Sequence, residues 1–389
     1  LIVFDRAEYL ERLARTKQAM AERGIEVLLV SDPCNINYLS GYDAWSFYVG
    51  QLLFVALDEE EPLWVGRGID ANAAKHTVFM GHERIIGYPD HYVQSGEGHP
   101  MHAMAEVVRE RGWERRTLGV EKDSYYFSAH AFEQLLGKLP NTAVLDAGLM
   151  VNWLRVGKSE AEIELMRQAG RIAERAMTAA IETIAPGVRE CDVAAAVYHA
   201  QMTGTEEFGG HYTSCQPFIP SGPAASAPHL PWTDQPHQRG RTTTIELCGC
   251  RHRYHAPLSR TVHLGEPPAE LRRVAEAVLE GLGAALDAVK PGISCAEVEA
   301  VWRKTAAKHG VEKESRIGYS IGIGYPPTIG ERTLSLRPGD ETLLRPNMTL
   351  HLIPGIWRDD WGVVISESIR VTETGHETFC DLPRGLVQK

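Results

Sequence analysis

No stretch of this sequence stays apolar for the ~20 residues that a membrane-crossing helix needs, so no membrane span is expected. Leu1 to Arg6 carries neither a basic stretch nor a long apolar one, so no signal peptide is expected there, and the missing initiator Met points to a trimmed N-terminus. Basic residues are outnumbered: 40 Lys and Arg against 51 Asp and Glu give a net charge of −11. That balance disfavours nucleic acid as a partner, because phosphate binding rests on Lys and Arg. Cysteine is sparse and irregular. The seven residues are an odd number without the spacing of a disulfide framework, and Cys248-Gly249-Cys250 is too tight for a relaxed bridge or a usual zinc pair. A reducing, cytoplasmic setting is expected. Compositional bias is also lacking. With 43% hydrophobic, 23% charged and 8% aromatic residues among 389, the chain reads as ordinary globular protein of more than one domain.

What is present alternates. Arg6 to Arg23 has helical spacing and ends at Gly24, where a helix C-cap belongs. Ile25 to Val30 reads as a buried strand, as do Gln51 to Leu57 and Pro62 to Val65. Helix returns at Met101 to Arg111, and strand at Thr117 to Val120. Such alternation predicts α/β layering. A boundary is expected near residues 150–160, giving domains of 1–154 and 155–389. Ser159 followed by Glu162 predicts a capping box that starts a long helix running to about Ile184. The second part carries a weak internal repeat, in which Pro186-Gly187-Val188 and the residues after it match Pro291-Gly292-Ile293 and theirs. Each Pro-Gly closes a long helix and opens a shorter one, and strand-rich segments follow both copies, as in a duplicated α+β half.

Three stretches carry unusual polar residues. Glu246 lies in the apolar run Thr244-Ile245-Glu246-Leu247-Cys248. A buried carboxylate is costly unless paired, so it is either a structural ion-pair member or a functional group. His229 closes the Pro-rich segment Pro220-Ser221-Gly222 to Pro228-His229, where a surface residue is the alternative. Gly318-Tyr319-Ser320-Ile321-Gly322-Ile323-Gly324 is Gly-rich but lacks the GxGxxG form and the P-loop Lys, so no nucleotide or other cofactor is expected. It leads on to His351-Leu352-Ile353-Pro354-Gly355 and Ile365-Ser366-Glu367-Ser368.

Over residues 155–380 these stretches resemble the pita-bread family of methionine aminopeptidase, aminopeptidase P, prolidase and creatinase. The resemblance implies an α/β N-terminal domain of the creatinase type, then an α+β pita-bread domain with internal pseudo-two-fold duplication. Glu246 to Thr261 keeps the family spacing of fifteen from the first acidic ligand to the Thr of Arg-Thr, and His229 falls where the family has its catalytic histidine. The family's peptidases use two Asp, one His and two Glu on two metal ions. Here Glu246 stands at the first Asp, Pro257 at the second, a residue near Ile321 at the His, and Ile353 and Ser366 at the two Glu positions. One carboxylate cannot hold such an ion, so neither metal nor peptidase activity is expected.

Creatinase is the metal-free precedent within that family. Longer strings, such as Gly41-Tyr42-Asp43-Ala44-Trp45-Ser46-Phe47-Tyr48, Gly66-Arg67-Gly68-Ile69-Asp70-Ala71-Asn72 and Gly330-Glu331-Arg332-Thr333-Leu334-Ser335, resemble the ectoine hydrolases over nearly the whole chain. That resemblance implies a small-molecule substrate, the cyclic amidine ectoine, with 5-hydroxyectoine open, and a homodimer. Glu246 is then general base or nucleophile and His229 the proton shuttle. Arg332 is the candidate clamp for the substrate carboxylate, with Arg260 as a rival. Glu367, Tyr254 and His255 are candidate substrate contacts. Trp45 and Phe47, with Tyr48, read first as core packing and second as an aromatic lid, reaching the partner subunit's site as in creatinase-like dimers. A creatinase-like relative acting on another guanidino or amidino compound, a peptidase and a non-catalytic binding module are the alternatives.

Overall fold

The computed structural model describes residues 2–389, and these fall into two units, one up to Arg155 and one of Val156–Lys389. In the first unit the helices are α1 (Arg6–Glu22), α2 (Pro33–Ser40), α3 (Ala71–Thr77), α4 (Pro100–Glu110), α5 (Ala129–Lys138) and α6 (Met150–Leu154). The strands are β1 (Val27–Val30), β2 (Leu52–Ala56), β3 (Leu63–Arg67), β4 (Ile85–Tyr88), β5 (Leu118–Val120) and β6 (Val144–Asp146). They form one mixed sheet, ordered β4-β3-β2-β1-β5-β6, with β1 antiparallel to β2 and parallel to β5. Gly24 at φ +69° ends α1, as the sequence predicts. Val27, Leu29, Phe54, Val65, Met104, Val108 and Leu118 belong to the core of this unit.

The aromatic string does not join that core. Trp45 is 58% and Tyr48 57% exposed, and Phe47 is partly covered, its ring 4.8 Å from Trp45 and 5.7 Å from Tyr126. Expected core packing is thus corrected. The segment is a turn whose inward position is taken by Ser46, bonded to the Tyr42 hydroxyl (2.6 Å) and donating to Gln51 Oε1 (2.7 Å), so its neighbours are turned outward.

The second unit holds helices α7 (Glu160–Thr183), α8 (Glu190–Thr203), α9 (Ala269–Ala288) and α10 (Cys295–Ala307). Its strands are β7 (Thr242–Arg251), β8 (Tyr254–His263), β9 (Gly318–Tyr325), β10 (Thr328–Leu336), β11 (Thr349–Leu352), β12 (Ile356–Trp357), β13 (Gly362–Val363), β14 (Glu367–Val371), β15 (His376–Thr378) and β16 (Leu386–Gln388). A sheet runs β15-β14-β11-β9-β8-β16, with β7 paired to β8 and β10 to β9. The Ser159–Glu162 capping box starts α7 as expected.

The repeat in the sequence is a repeat in space. A helix pair followed by a hairpin occurs twice, as α7-α8-β7-β8 and α9-α10-β9-β10. Gly187 and Gly292 both adopt φ +88°, and their N–H groups donate to carbonyls of the segments beside them, His237 and Leu344. Bridges of Arg189 with Pro236 and of Ser294 with Leu343 complete the match. Helix α7 lies directly on β7: a side chain at Gly249 would come within 1.8 Å of the Ala169 carbonyl oxygen. Ala173, Ala176, Met177 and Ala180 of α7 pack with Ile245, Leu247, Leu258 and Val262 of the hairpin. This packing holds β7 rigid, and Glu246 is on β7.

Candidate active site

Every residue of β7 before its last is buried except Glu246, which keeps partial access. Glu246 exchanges both backbone hydrogen bonds with Phe218 (2.8 and 2.9 Å), so towards β8 it faces Ser259 in the non-hydrogen-bonded register. Ser259 turns its own backbone the other way. Its N–H donates to Ser366 Oγ (2.7 Å), and the Ser366 N–H donates to its carbonyl (3.1 Å). Directly opposed residues share a face, so Phe218, Glu246 and Ser259 put their side chains on one side of the sheet.

Among the described residues, no hydrogen-bond donor or cation partners the Glu246 carboxylate. Burial alone pushes its pKa up from 4.5 to about 7. An ion-pair role is therefore not what holds it there. Tyr319, on β9, lies within the electrostatic reach of Glu246 and of the Cys248 and Cys215 thiols, and burial and that charge raise its pKa. The Tyr319 hydroxyl meets His351 Nδ1 at 3.1 Å, and His351 Nε2 meets Ser366 Oγ at 2.7 Å. His351 is fully buried, and burial, with the Arg316 guanidinium nearby, pushes its pKa down to about 3, so the ring is neutral. A chain of side chains, Tyr319–His351–Ser366, thus closes on the Ser259 backbone beside the carboxylate.

His229 follows the 3-10 turn Gly222–Ser226, in a loop. It is exposed, and its ring lies 5.6 Å from that of Phe218, the backbone neighbour of Glu246. Arg332 sits on β10 with φ +63°, partly buried, between the shifted registers that pair β10 with β9. Trp45 and Phe47 belong to the first unit.

Three expected substrate contacts are committed elsewhere, and these are corrections. Glu367 binds Arg260 (2.8 Å) and Arg384 (3.1 Å) in the interior. Arg260 also donates to the carbonyls of Ser366, Leu382 and Pro383, which makes it a tie for the C-terminal segment and not a substrate clamp. The Tyr254 hydroxyl donates its proton to Glu162 (2.7 Å). His255 is fully buried, bonds the Arg253 carbonyl through Nδ1 (2.7 Å) and accepts the Ser214 N–H at Nε2 (2.9 Å); burial holds it neutral, its pKa about 3. Both its nitrogens serve the backbone.

Sequence reasoning passed over Tyr319 and His351. The signal was the one that marked Glu246: a polar residue inside an apolar strand, as in Thr349-Leu350-His351-Leu352. Tyr319, two residues before Ile321, is the β9 side chain whose ionisation feels the Glu246 charge.

The model of metallopeptidase family M24 matches residues 164–373, and that of the creatinase/prolidase N-terminal domain matches residues 12–156. The chain belongs to metallopeptidase family M24. Across the full length it is 49% identical to an uncharacterized hydrolase/peptidase of Sinorhizobium fredii, covering 100% of this chain and 99% of that one. It is 46% identical to the ectoine hydrolase of Halomonas elongata, covering 99% and 98%. The solved prolidase of Thermococcus sibiricus shares the fold, with a TM-score of 0.85, 20% identity and 98% and 99% coverage. This M24 protein is a hydrolase with the creatinase-type domain followed by the pita-bread domain.

The family name implies a metal, and the donor set does not fit one. Around Glu246 the positions that would supply ligands hold Pro257, whose carbonyl accepts from Ser368 (2.6 Å), and Ile353, which is aliphatic. Ser366 Oγ is shared between His351 and the Ser259 N–H. Among the described residues no three His, Cys, Asp or Glu side chains gather as a metal site. A single carboxylate with neutral neighbours does not compensate a divalent ion.

Proposed function

We propose that this M24 hydrolase opens the ring of ectoine to N-acetyl-L-2,4-diaminobutyrate without a metal. The observation that carries the reading is Glu246: a carboxylate held on a rigid strand with no cation of its own, in a chain 46% identical to an ectoine hydrolase. Ectoine is a cyclic amidine bearing a carboxylate. Its amidinium supplies the missing positive charge, and its central carbon is electrophilic enough to need no Lewis acid.

Glu246 binds the amidinium and activates water for attack on that carbon, or attacks the carbon itself. A pKa of about 7 leaves it partly ionised near neutrality, as a group that both takes and returns a proton must be. In this reading His229 acts as the proton shuttle and Arg332 as the clamp for the substrate carboxylate. On this reading the protein is a cytoplasmic homodimer, and the exposed Trp45 and the partly covered Phe47 of one subunit cover the ring bound in the other. The seven cysteines form no disulfide among the described residues, which accords with a reducing compartment.

The test is turnover of ectoine by the purified protein in excess EDTA, followed by proton NMR. Ring opening under chelation supports the proposal and shows which nitrogen keeps the acetyl group. Activity that appears only on adding a divalent metal overturns the metal-free mechanism. Silence on ectoine under both conditions overturns the substrate.

A further inference from the structure

We infer that Tyr319 is a second catalytic residue, that its phenol proton is turned towards Glu246, and that this proton goes to the ring nitrogen that leaves. The inference rests on the amidine-hydrolase reading above. It follows from a count of donors and acceptors in the chain Tyr319–His351–Ser366.

Ser366 Oγ is fully buried and has two partners, the Ser259 N–H at 2.7 Å and His351 Nε2 at 2.7 Å. The first is a donor, so it takes a lone pair of Ser366. The Ser366 proton then needs an acceptor, and among the described residues the one in reach is His351 Nε2. A buried hydroxyl proton without an acceptor is strongly disfavoured. His351 is neutral, so if Nε2 accepts, the ring proton is on Nδ1. Nδ1–H donates to the Tyr319 oxygen at 3.1 Å. The Tyr319 proton is thereby excluded from His351 and is available to the space that Glu246 faces. The opposite tautomer would turn the Tyr319 proton onto His351 and leave the Ser366 proton stranded.

A second observation marks the same face as a place for a polar ligand. Ser259 Oγ, fully buried and opposite Glu246 in the strand pair, has no hydrogen-bond partner among the described residues. A carboxylate without a donor, a phenol with a free proton and an orphan hydroxyl together suit a ligand that carries both N–H groups and a nitrogen to be protonated.

The step balances. A water oxygen bonds to the amidine carbon while Glu246 takes one of its protons. The ring C–N bond then breaks, its electron pair goes to the nitrogen, that nitrogen takes the Tyr319 proton, and the second water proton leaves the new hydroxyl as the amide carbonyl forms and ends on the released amine, which departs as an ammonium. The phenolate, held by the His351 Nδ1–H, receives the proton stored on Glu246, and both groups return to their starting state. His351 and Ser366 touch no reacting atom; they are positioning residues that fix the direction of the Tyr319 hydrogen bond.

The first test reads the His351 tautomer directly, by nitrogen NMR of the full-length protein labelled with 15N-histidine, the signal being assigned by its loss in His351→Gln. The inference expects a proton on Nδ1 and none on Nε2; a proton on Nε2 overturns it. The second test is kinetic. Tyr319→Phe, which removes only the hydroxyl, is expected to lower kcat about 100-fold or more with KM changed less than about threefold. Activity of Tyr319→Phe within about threefold of the wild type overturns the acid role. Ser366→Ala is expected to lose kcat and Ser366→Thr, which keeps the hydroxyl, to retain more of it; equal losses overturn the positioning role. Absence of ectoine turnover by the wild type overturns the substrate and with it Tyr319's part in that reaction, while the tautomer signal still decides the direction of the hydrogen bond.

Discussion

Glu246 and Glu367 both lie on strands of the second unit, Glu246 within β7 and Glu367 at the start of β14, and their surroundings are opposite. Glu367 on β14 has Arg260 at 2.8 Å and Arg384 at 3.1 Å. Glu246 on β7 has no such partner among the described residues. In the sequence Glu246 lies between Ile245 and Leu247 and Glu367 between Ser366 and Ser368, and neither setting says whether the carboxylate is paired. The difference teaches how the fold places its guanidinium groups: two of them meet the carboxylate that ties down the C-terminal segment, and among the described residues none meets Glu246, which is why the proposed function puts the substrate cation there. Tertiary packing against α7 keeps Glu246 in place at the cost of its own ionisation.

The comparison breaks most decisively if Glu246→Gln retains turnover. It is expected to lower kcat about 10²–10⁴-fold, the range of an acid–base group, with circular dichroism unchanged; a folded and fully active variant removes Glu246 from the mechanism. On the other carboxylate the expected effect is on stability. Arg260→Ala leaves Glu367 buried with its more exposed partner alone, and urea unfolding is expected to show a loss of about 3–5 kcal/mol. A loss under about 1 kcal/mol would make the two carboxylates alike after all.

The third expectation concerns Glu246 and pH. A pKa raised from 4.5 to about 7 by folding means that the folded state prefers the protonated carboxyl. That preference stabilises the protein fully below about pH 4.5 and is lost as pH rises through about 7. Glu246→Gln should therefore stabilise the protein by up to about 3 kcal/mol at pH 8 and change little near pH 4. A variant that is inactive and yet more stable at pH 8 is what a group strained for function gives; equal stability at the two pH values would mean that burial does not shift this carboxyl. The smallest effect is kinetic. If the ionised carboxylate is the active form, kcat/KM falls about tenfold from its plateau by pH 6; a profile flat from pH 5 to 8 would place the acidic limb on neither Glu246 nor any group near neutrality.

Much of the fold was legible in the sequence because its signals are local. The Ser159–Glu162 capping box, the stop at Gly24 and the paired Pro-Gly turns are backbone requirements that a few adjacent residues meet. The aromatic string Trp45-Phe47-Tyr48 misled, because hydrophobicity does not say which residue of a turn faces inward; the buried hydrogen bonds of Ser46 do. Glu246 was legible as an oddity, a charge in a β-strand, but its role was not. Whether such a charge is paired depends on residues far along the chain. Glu367 finds Arg260 across 107 positions. Tyr254 finds Glu162 across 92 positions.

The sequence by itself therefore determined the α/β unit, the duplicated helix-pair and hairpin unit, and the strand on which Glu246 lies, since each follows from neighbours along the chain. Only the tertiary structure decided which polar side chains are spent and which are left open. Hydrogen bonds and ion pairs are settled by what the fold brings within about 3 Å, and that is how Glu367, Tyr254 and His255 became framework while Tyr319, His351 and Ser366 came together beside Glu246.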